Sequence, residues 1–197
     1  MTYELLTALA AFAFVTSITP GPNNMMLLAS GANFGFTRTI PHMLGIGIGF
    51  TIMVMLVGAG LMQLFDAWPA SYLILKIFSA VYMLWLAWKI AHSASPEGQT
   101  AGAQPMTFLQ AALFQWVNPK AWTMALTAIT LYAPGRELLA VLWVALIFGA
   151  INLPCVSSWA VLGQKLRLLL KNPTRLIAFN WTMAALLVAS LIPSLLV

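Results

Sequence analysis

Lys120 stands directly after Asn118 and Pro119 inside a long apolar run, about 13 residues from where that run begins and so close to mid-bilayer at ~1.5 Å per residue. A lysine at that depth is costly to bury and marks a site by default. A second polar interruption, Thr19-Pro20-Gly21-Pro22-Asn23-Asn24, lies in a stretch with no Asp, Glu, Lys or Arg from Leu5 to Thr37. Pro20 and Pro22 lack an N–H, which deprives the carbonyls of Thr16 and Ile18 of their helical donors, and Pro119 does the same to Gln115. Gly21-Pro22 can open a new half-helix with Pro at its first position and Asn23 and Asn24 beside it. Such an N-terminus favours an anion, and the freed carbonyls favour an ammonium group. Lys120, two half-helix N-termini, Gln115, Asn118, Asn23 and Asn24 together match a zwitterion. A simple anion would satisfy half of the set.

These residues need a bilayer around them. The chain has 197 residues, 61% hydrophobic and 7% charged, with a mean hydropathy of +0.91. A soluble domain carries roughly 25% charged residues, so this chain cannot cover a water-facing surface. Six spans are expected, at about 3–32, 40–64, 69–90, 106–132, 138–163 and 176–196, each near the ~20 residues that crossing requires. Trp68, Tyr72, Trp85 and Trp88 sit at the ends of the third span like interfacial anchors. The first span lacks a basic leader and reads as a retained helix rather than a cleaved signal peptide.

Residues 93–104 are small, polar and rich in Gly and Pro, a linker near the midpoint. Three spans on either side force opposite orientations on the two halves, about 1–92 and 105–197. Each half opens with a proline-broken span, the pattern of an inverted-repeat transporter. The expected fold is therefore an all-α integral membrane protein: six transmembrane helices as two inverted three-helix repeats in one domain, with helices 1 and 4 broken. Arg38, Lys89, Lys165, Arg167, Lys171 and Arg175 follow spans one, three and five, against Lys76 and Arg136 on the other face. By the positive-inside rule both termini lie outside the cytoplasm.

Other classes fit poorly. The net charge of +5 comes largely from one loop, which is no nucleic-acid footprint. No span contains an internal Asp or Glu, and neither GxSxG nor a P-loop occurs. Two histidines and the lone Cys155 lack metal-ligand spacing, so neither an enzyme nor a cofactor is expected. A metal-cation exporter would need intramembrane carboxylates, His or Cys. A lipid-acting enzyme or scaffold would need catalytic groups at an interface, where only His42 and His92 lie. A passive channel remains the alternative, and it predicts flux without accumulation against a gradient. Gly45, Gly47, Gly49, Gly58 and Gly60 form small-residue faces for close helix contact, which would also allow a homodimer.

Four stretches resemble the LysE/RhtB family of amino-acid exporters: Ser17–Asn24 (SITPGPNN), Gly35–Arg38 (GFTR), Leu75–Lys89 (LKIFSAVYMLWLAWK) and Gln115–Trp122 (QWVNPKAW). The resemblance covers essentially the whole chain. It implies a bacterial inner-membrane, multi-pass exporter of amino acids or close derivatives, with energy from proton exchange. The family's motif positions fall on Pro20, Gly21, Pro22, Asn23 and Asn24 and on Asn118, Pro119 and Lys120. Ser79 and Ala87 stand where the family often has glycine, which would loosen packing there. Substrate binding is thus expected of Thr19 through Asn24, Gln115, Asn118, Pro119 and Lys120. The proton step falls to Lys120 first and His42 second.

Overall fold

The computed structural model describes residues 2–93, 104–133, 135 and 137–192, and among them the only regular structure is helical. Helix α1, Tyr3–Ile18, begins behind Thr2, whose side chain accepts from the Leu5 N–H. It stops where Pro20 and Pro22 remove the donors needed to continue. Helix α2, Pro22–Phe34, restarts with Pro22 at its first position, where the fixed φ suits a helix and the missing N–H leaves no bond unmade. The two axes differ by 53°.

Gly35, at φ 82°, reverses the chain into α3, Phe36–Leu56. That helix runs on through a π turn, Val57–Leu61, until Gly60 at φ 105° breaks it. A short helix α4, Met62–Ala67, follows, then α5, Ala70–Ala91. Positive φ is a conformation that only glycine adopts without strain, which is why glycine stands at both bends. Helix α6, Phe108–Phe114, opens on a Thr107/Gln110 capping box and tightens into a 3-10 turn, Gln115–Val117. Helix α7, Pro119–Tyr132, starts from Asn118, helix α8 is Leu138–Leu166, and helix α9 is Pro173–Ala189.

Three of these helices, Phe36–Leu61, Ala70–Ala91 and Leu138–Leu166, are long and apolar enough to cross a membrane, and α1 with α2 adds a fourth as a bent pair. Phe108–Val117 is apolar but short, and α9 has 17 residues. The expected second span ends in a glycine bend at Gly60 rather than running straight to 64. The expected linker lies, except for Ser93 and Gln104, outside the described residues, as do Arg136 and the end of the sixth span.

Helix α8 lies at the centre and packs against α1, α2 and α3, while α3 also packs on α6 and α5 on α9. Small residues permit these approaches. A Cβ added to Gly49 would lie 2.6 Å from Ala112 Cα, and Gly31 and Gly163 face the backbone of Ala160 and Leu28. Gly45, Gly47 and Gly58 likewise face Phe108, Leu153 and Val141. Gly45, Gly47, Gly49 and Gly58 are therefore occupied within the chain.

Helix α2 is buried almost throughout. On α5, by contrast, Leu73, Ile77, Val81, Leu84 and Trp88 are exposed. A wide apolar exterior around a polar-centred interior is the arrangement of a multi-pass helical membrane protein, in which every spanning backbone group must be satisfied internally.

Candidate functional site at the two helix breaks

The two breaks meet. Lys120 Nζ donates to Thr19 O at 2.9 Å, to Thr19 Oγ1 at 3.0 Å and to Pro20 O at 3.2 Å. These three acceptors use the full donor capacity of an ammonium group. A Cβ on Gly21 would lie 2.6 Å from Lys120 Cδ, so glycine lets the lysine stem take this path and a side chain there would push it aside. Asn118 holds the start of α7, its side chain accepting from the Lys120 N–H at 3.1 Å. Asn23 and Gln115 form a reciprocal amide pair across the junction, Asn23 Nδ2 to Gln115 Oε1 at 2.8 Å and Gln115 Nε2 to Asn23 Oδ1 at 3.2 Å. Gln115 Nε2 also donates to Ala111 O at 2.8 Å.

Ten positions named from sequence thus gather at one junction: Thr19 through Asn24 on one side, Gln115, Asn118, Pro119 and Lys120 on the other. His42 does not join them. It is 1% exposed, neither ring nitrogen has a partner among the described residues, and it lines a separate cavity of about 230 Å³ with Asn33, Lys89 and His92.

The freed carbonyls are not free. Thr16 O accepts from Thr19 Oγ1 at 3.1 Å, and Ile18 O from Trp159 Nε1 at 3.1 Å. Gln115 O takes the Asn118 N–H at 3.3 Å through the 3-10 turn. The carbonyls that meet a cation are those of Thr19 and Pro20, and the cation is the chain's own lysine. The expectation that Thr16, Ile18 and Gln115 would offer carbonyls to a ligand is corrected accordingly, because a buried carbonyl left without a donor costs about 1–3 kcal/mol and nearby side chains move to supply one.

Two tryptophans and one asparagine outside the ten expected positions complete the junction. Trp122 Nε1 donates to Trp116 O at 2.8 Å, a carbonyl left open because the Lys120 N–H turns to Asn118. From α8, Asn152 Nδ2 donates to Ser17 Oγ at 3.0 Å while Trp159 reaches Ile18. Asn152 and Trp159 are seven residues apart and so share one helix face. That spacing was the available signal, but nothing in it says which element the face will meet.

The junction borders two cavities. One, of about 850 Å³, lies between it and α5 and is lined by Pro20, Gly21, Pro22, Pro119, Lys120, Tyr72, Lys76 and Ser79 among others. The other, of about 20 Å³, is lined by Ser17, Gly21, Asn24, Asn118, Lys120 and Asn152 with apolar neighbours. Among the described residues, no group of three His, Cys, Asp or Glu is placed to hold a metal ion.

A singly charged polar centre where two broken helices meet, inside an apolar helical bundle, is the build of a solute transporter. The family profile described as LysE type translocator matches residues 14–191. The cysteine/O-acetylserine efflux protein of Klebsiella pneumoniae is 33% identical over 191 residues, covering 95% of each chain. Proteins of the same description from Escherichia coli K12 and Shigella flexneri are each 32% identical over 190 residues, covering 95% of this chain and 96% of theirs. The chain belongs to the LysE type translocator family, and it is a membrane transporter, not an enzyme. No solved structure matches it.

Proposed function

We propose that the protein exports amino acids or close derivatives from the bacterial cytoplasm across the inner membrane. The substrate carboxylate binds Lys120 and the N-termini of α2 and α7. Small amino acids of the cysteine and O-acetylserine type are the first candidates, since those are the compounds for which the relatives are named. The observation that carries this reading is the Lys120 ammonium, placed between the two breaks and bonded, among the described residues, only to neutral oxygens. Neutral oxygens compensate a half-buried charge incompletely, and an arriving carboxylate would complete it.

The transporter works by alternating access between two inverted repeats, residues about 1–92 and about 105–197, joined by the linker at about 93–104 and together making six spans. The packing supports this. If α1–α2, α3 and α5 correspond to α6–α7, α8 and α9, then the α1–α8 contact pairs with α6–α3, and α2–α8 with α7–α3. The α3–α8 and α5–α9 contacts map onto themselves. The two halves are not packed equally, and the difference is plainest on one flank. Helix α2 packs on α9, whereas the corresponding α7–α5 flank holds the 850 Å³ cavity. One flank closed and its counterpart open is what a repeat-exchange cycle predicts for either end state. With Arg38, Lys89 and the α8–α9 loop cytoplasmic, both termini are extracytoplasmic and the open flank faces outward.

Energy comes from proton antiport, with Lys120 as the first candidate group and His42 as the second. Efflux from vesicles holding the protein is the test. An imposed pH gradient should drive cysteine or O-acetylserine against its own gradient. Flux that only ever runs downhill would identify a passive channel, and no flux of any amino acid would end the exporter reading. Lys120→Arg keeps the charge without easy deprotonation. If that variant retains gradient-driven efflux, proton transfer lies elsewhere.

A further inference from the structure

Asn24 and Asn152 each present a carboxamide oxygen that accepts no hydrogen bond from the described residues. Each residue is 3% exposed, and both line the same small cavity beside Lys120. Interiors leave few buried polar atoms unpaired, because stripping them of water without a replacement is costly. The orientation of Asn24 is set by its own donors, since Nδ2 donates to Ser17 O and to Thr19 O, both at 2.8 Å. Turning the amide over would press its oxygen against two carbonyl oxygens. Asn152 donates through Nδ2 to the Ser17 hydroxyl, so Ser17 touches both amides, one through its carbonyl and one through its side chain.

The cavity is about 20 Å³, room for one water-sized group and not for a whole amino acid. Gly21 and Lys120 line it and also line the 850 Å³ cavity, so the two spaces adjoin at the lysine. The two unpaired acceptors share the cavity with Phe50, Met124 and Val156 and with Thr16, Asn23, Asn118 and Lys120, and once a substrate carboxylate has taken up the lysine's charge they suit a compact group that only donates. A primary ammonium, with three N–H bonds and no acceptor, is such a group, whereas a carboxylate would meet two oxygens and be repelled.

We infer that Asn24 and Asn152 form the subsite for the α-ammonium of the exported amino acid, while its carboxylate binds Lys120 and its side chain stays in the larger cavity. The inference rests on the amino-acid exporter reading above. It makes Asn152, on the central helix α8, a specificity-determining residue, and it ties recognition of the amine to the end of α1 through Ser17.

The test compares initial rates for L-cysteine and for 3-mercaptopropionate, which lacks only the amine, using the full-length protein in proteoliposomes. Wild type should favour cysteine by about ten- to hundredfold, the range expected for charged hydrogen bonds. Asn152→Leu and Asn24→Leu should bring that ratio close to one. Asn152→Asp, which keeps an acceptor oxygen, should hold it at or above the wild-type value. Gel filtration checks that each variant is folded, and where a leucine variant is not, Asn152→Ala and Asn24→Ala are read by the same ratio. A leucine or alanine variant that moves cysteine more slowly but keeps the wild-type ratio overturns the inference and leaves the pocket to a structural water only. Wild type moving both compounds equally would also overturn it while leaving the exporter reading intact. Wild type moving neither cysteine nor any other amino acid would remove the exporter reading, and this subsite with it.

Discussion

Lys120 has two tasks, and they compete. In the structure its ammonium links α7 to the carbonyls of Thr19 and Pro20, closing the junction. To bind a carboxylate it must share or release those bonds. Lys120→Gln keeps a donor for Thr19 but removes the charge. The variant should fold normally and lose about ten- to hundredfold in efflux rate, the value of a charged hydrogen bond, as measured in everted vesicles. Gly21→Ala should act on the same lysine without touching its chemistry, because the new Cβ would sit 2.6 Å from Cδ. The flexible lysine stem can move aside, so Gly21→Ala should pull the ammonium off Thr19 and Pro20 and lower efflux with little change in the melting temperature in detergent. That Asn118, Pro119 and Lys120 belong together was legible in the sequence, since a proline break and an intramembrane lysine each demand an explanation. That the lysine's partners would be Thr19 and Pro20 was not, because acceptors a hundred residues away leave no local signal.

Among the elements, α2 and α8 define the site. Helix α2 is short and buried, tied at one end by the Asn23–Gln115 pair and at the other by Asn33 and Asn180, which bond reciprocally at 2.9 and 3.3 Å. Asn180 also donates to Ser93 O at 3.2 Å, joining the ends of α2 and α5 to the middle of α9. If this flank opens during transport, Asn33→Cys with Asn180→Cys, in a Cys155→Ser background, should cross-link under oxidation. Efflux should stop and should return on reduction. Efflux that survives complete cross-linking would place the moving flank elsewhere. Helix α8 supplies Trp159 to the open carbonyl of Ile18. Trp159→Phe removes that donor with little change of shape and should cost about 1–3 kcal/mol, read as a lowered melting temperature. Helix positions were largely legible, because apolar runs of ~20 residues and the prolines that interrupt them are local properties. The glycine bend at Gly60 and the role of α8 as central helix were not, since a span of uniform hydropathy does not say which of its faces meets protein and which meets lipid.

At the scale of the whole molecule, charge decides orientation. Gly35, at the turn into α3, lies beside Arg167, with Arg167 Nη1 3.5 Å from where a Cβ on Gly35 would be, and Gln164 Oε1 accepts from the Phe36 N–H. The basic end of α8 and the basic start of α3 thus share one face. A cysteine placed at exposed Lys171, again in a Cys155→Ser background, should react with an impermeant maleimide in everted vesicles and not in intact cells. A cysteine at exposed Tyr3 should do the reverse, and labelling in the opposite sense would invert the topology and make the 850 Å³ cavity face the cytoplasm.

The sequence by itself determined the solvent, the helical class, both breaks and the single charge between them. These follow from composition and from proline geometry, which act over a few residues. The tertiary structure decided who satisfies the broken backbone: Trp159 and Thr19 take the carbonyls thought to be open, and Lys120 takes two that were not. It also brought Asn152 from the fifth apolar run to the site and set His42 apart from it. The physical reason is the same throughout. In a bilayer every backbone group freed by a break must find a partner inside the protein, and which partner arrives depends on packing between segments a hundred or more residues apart.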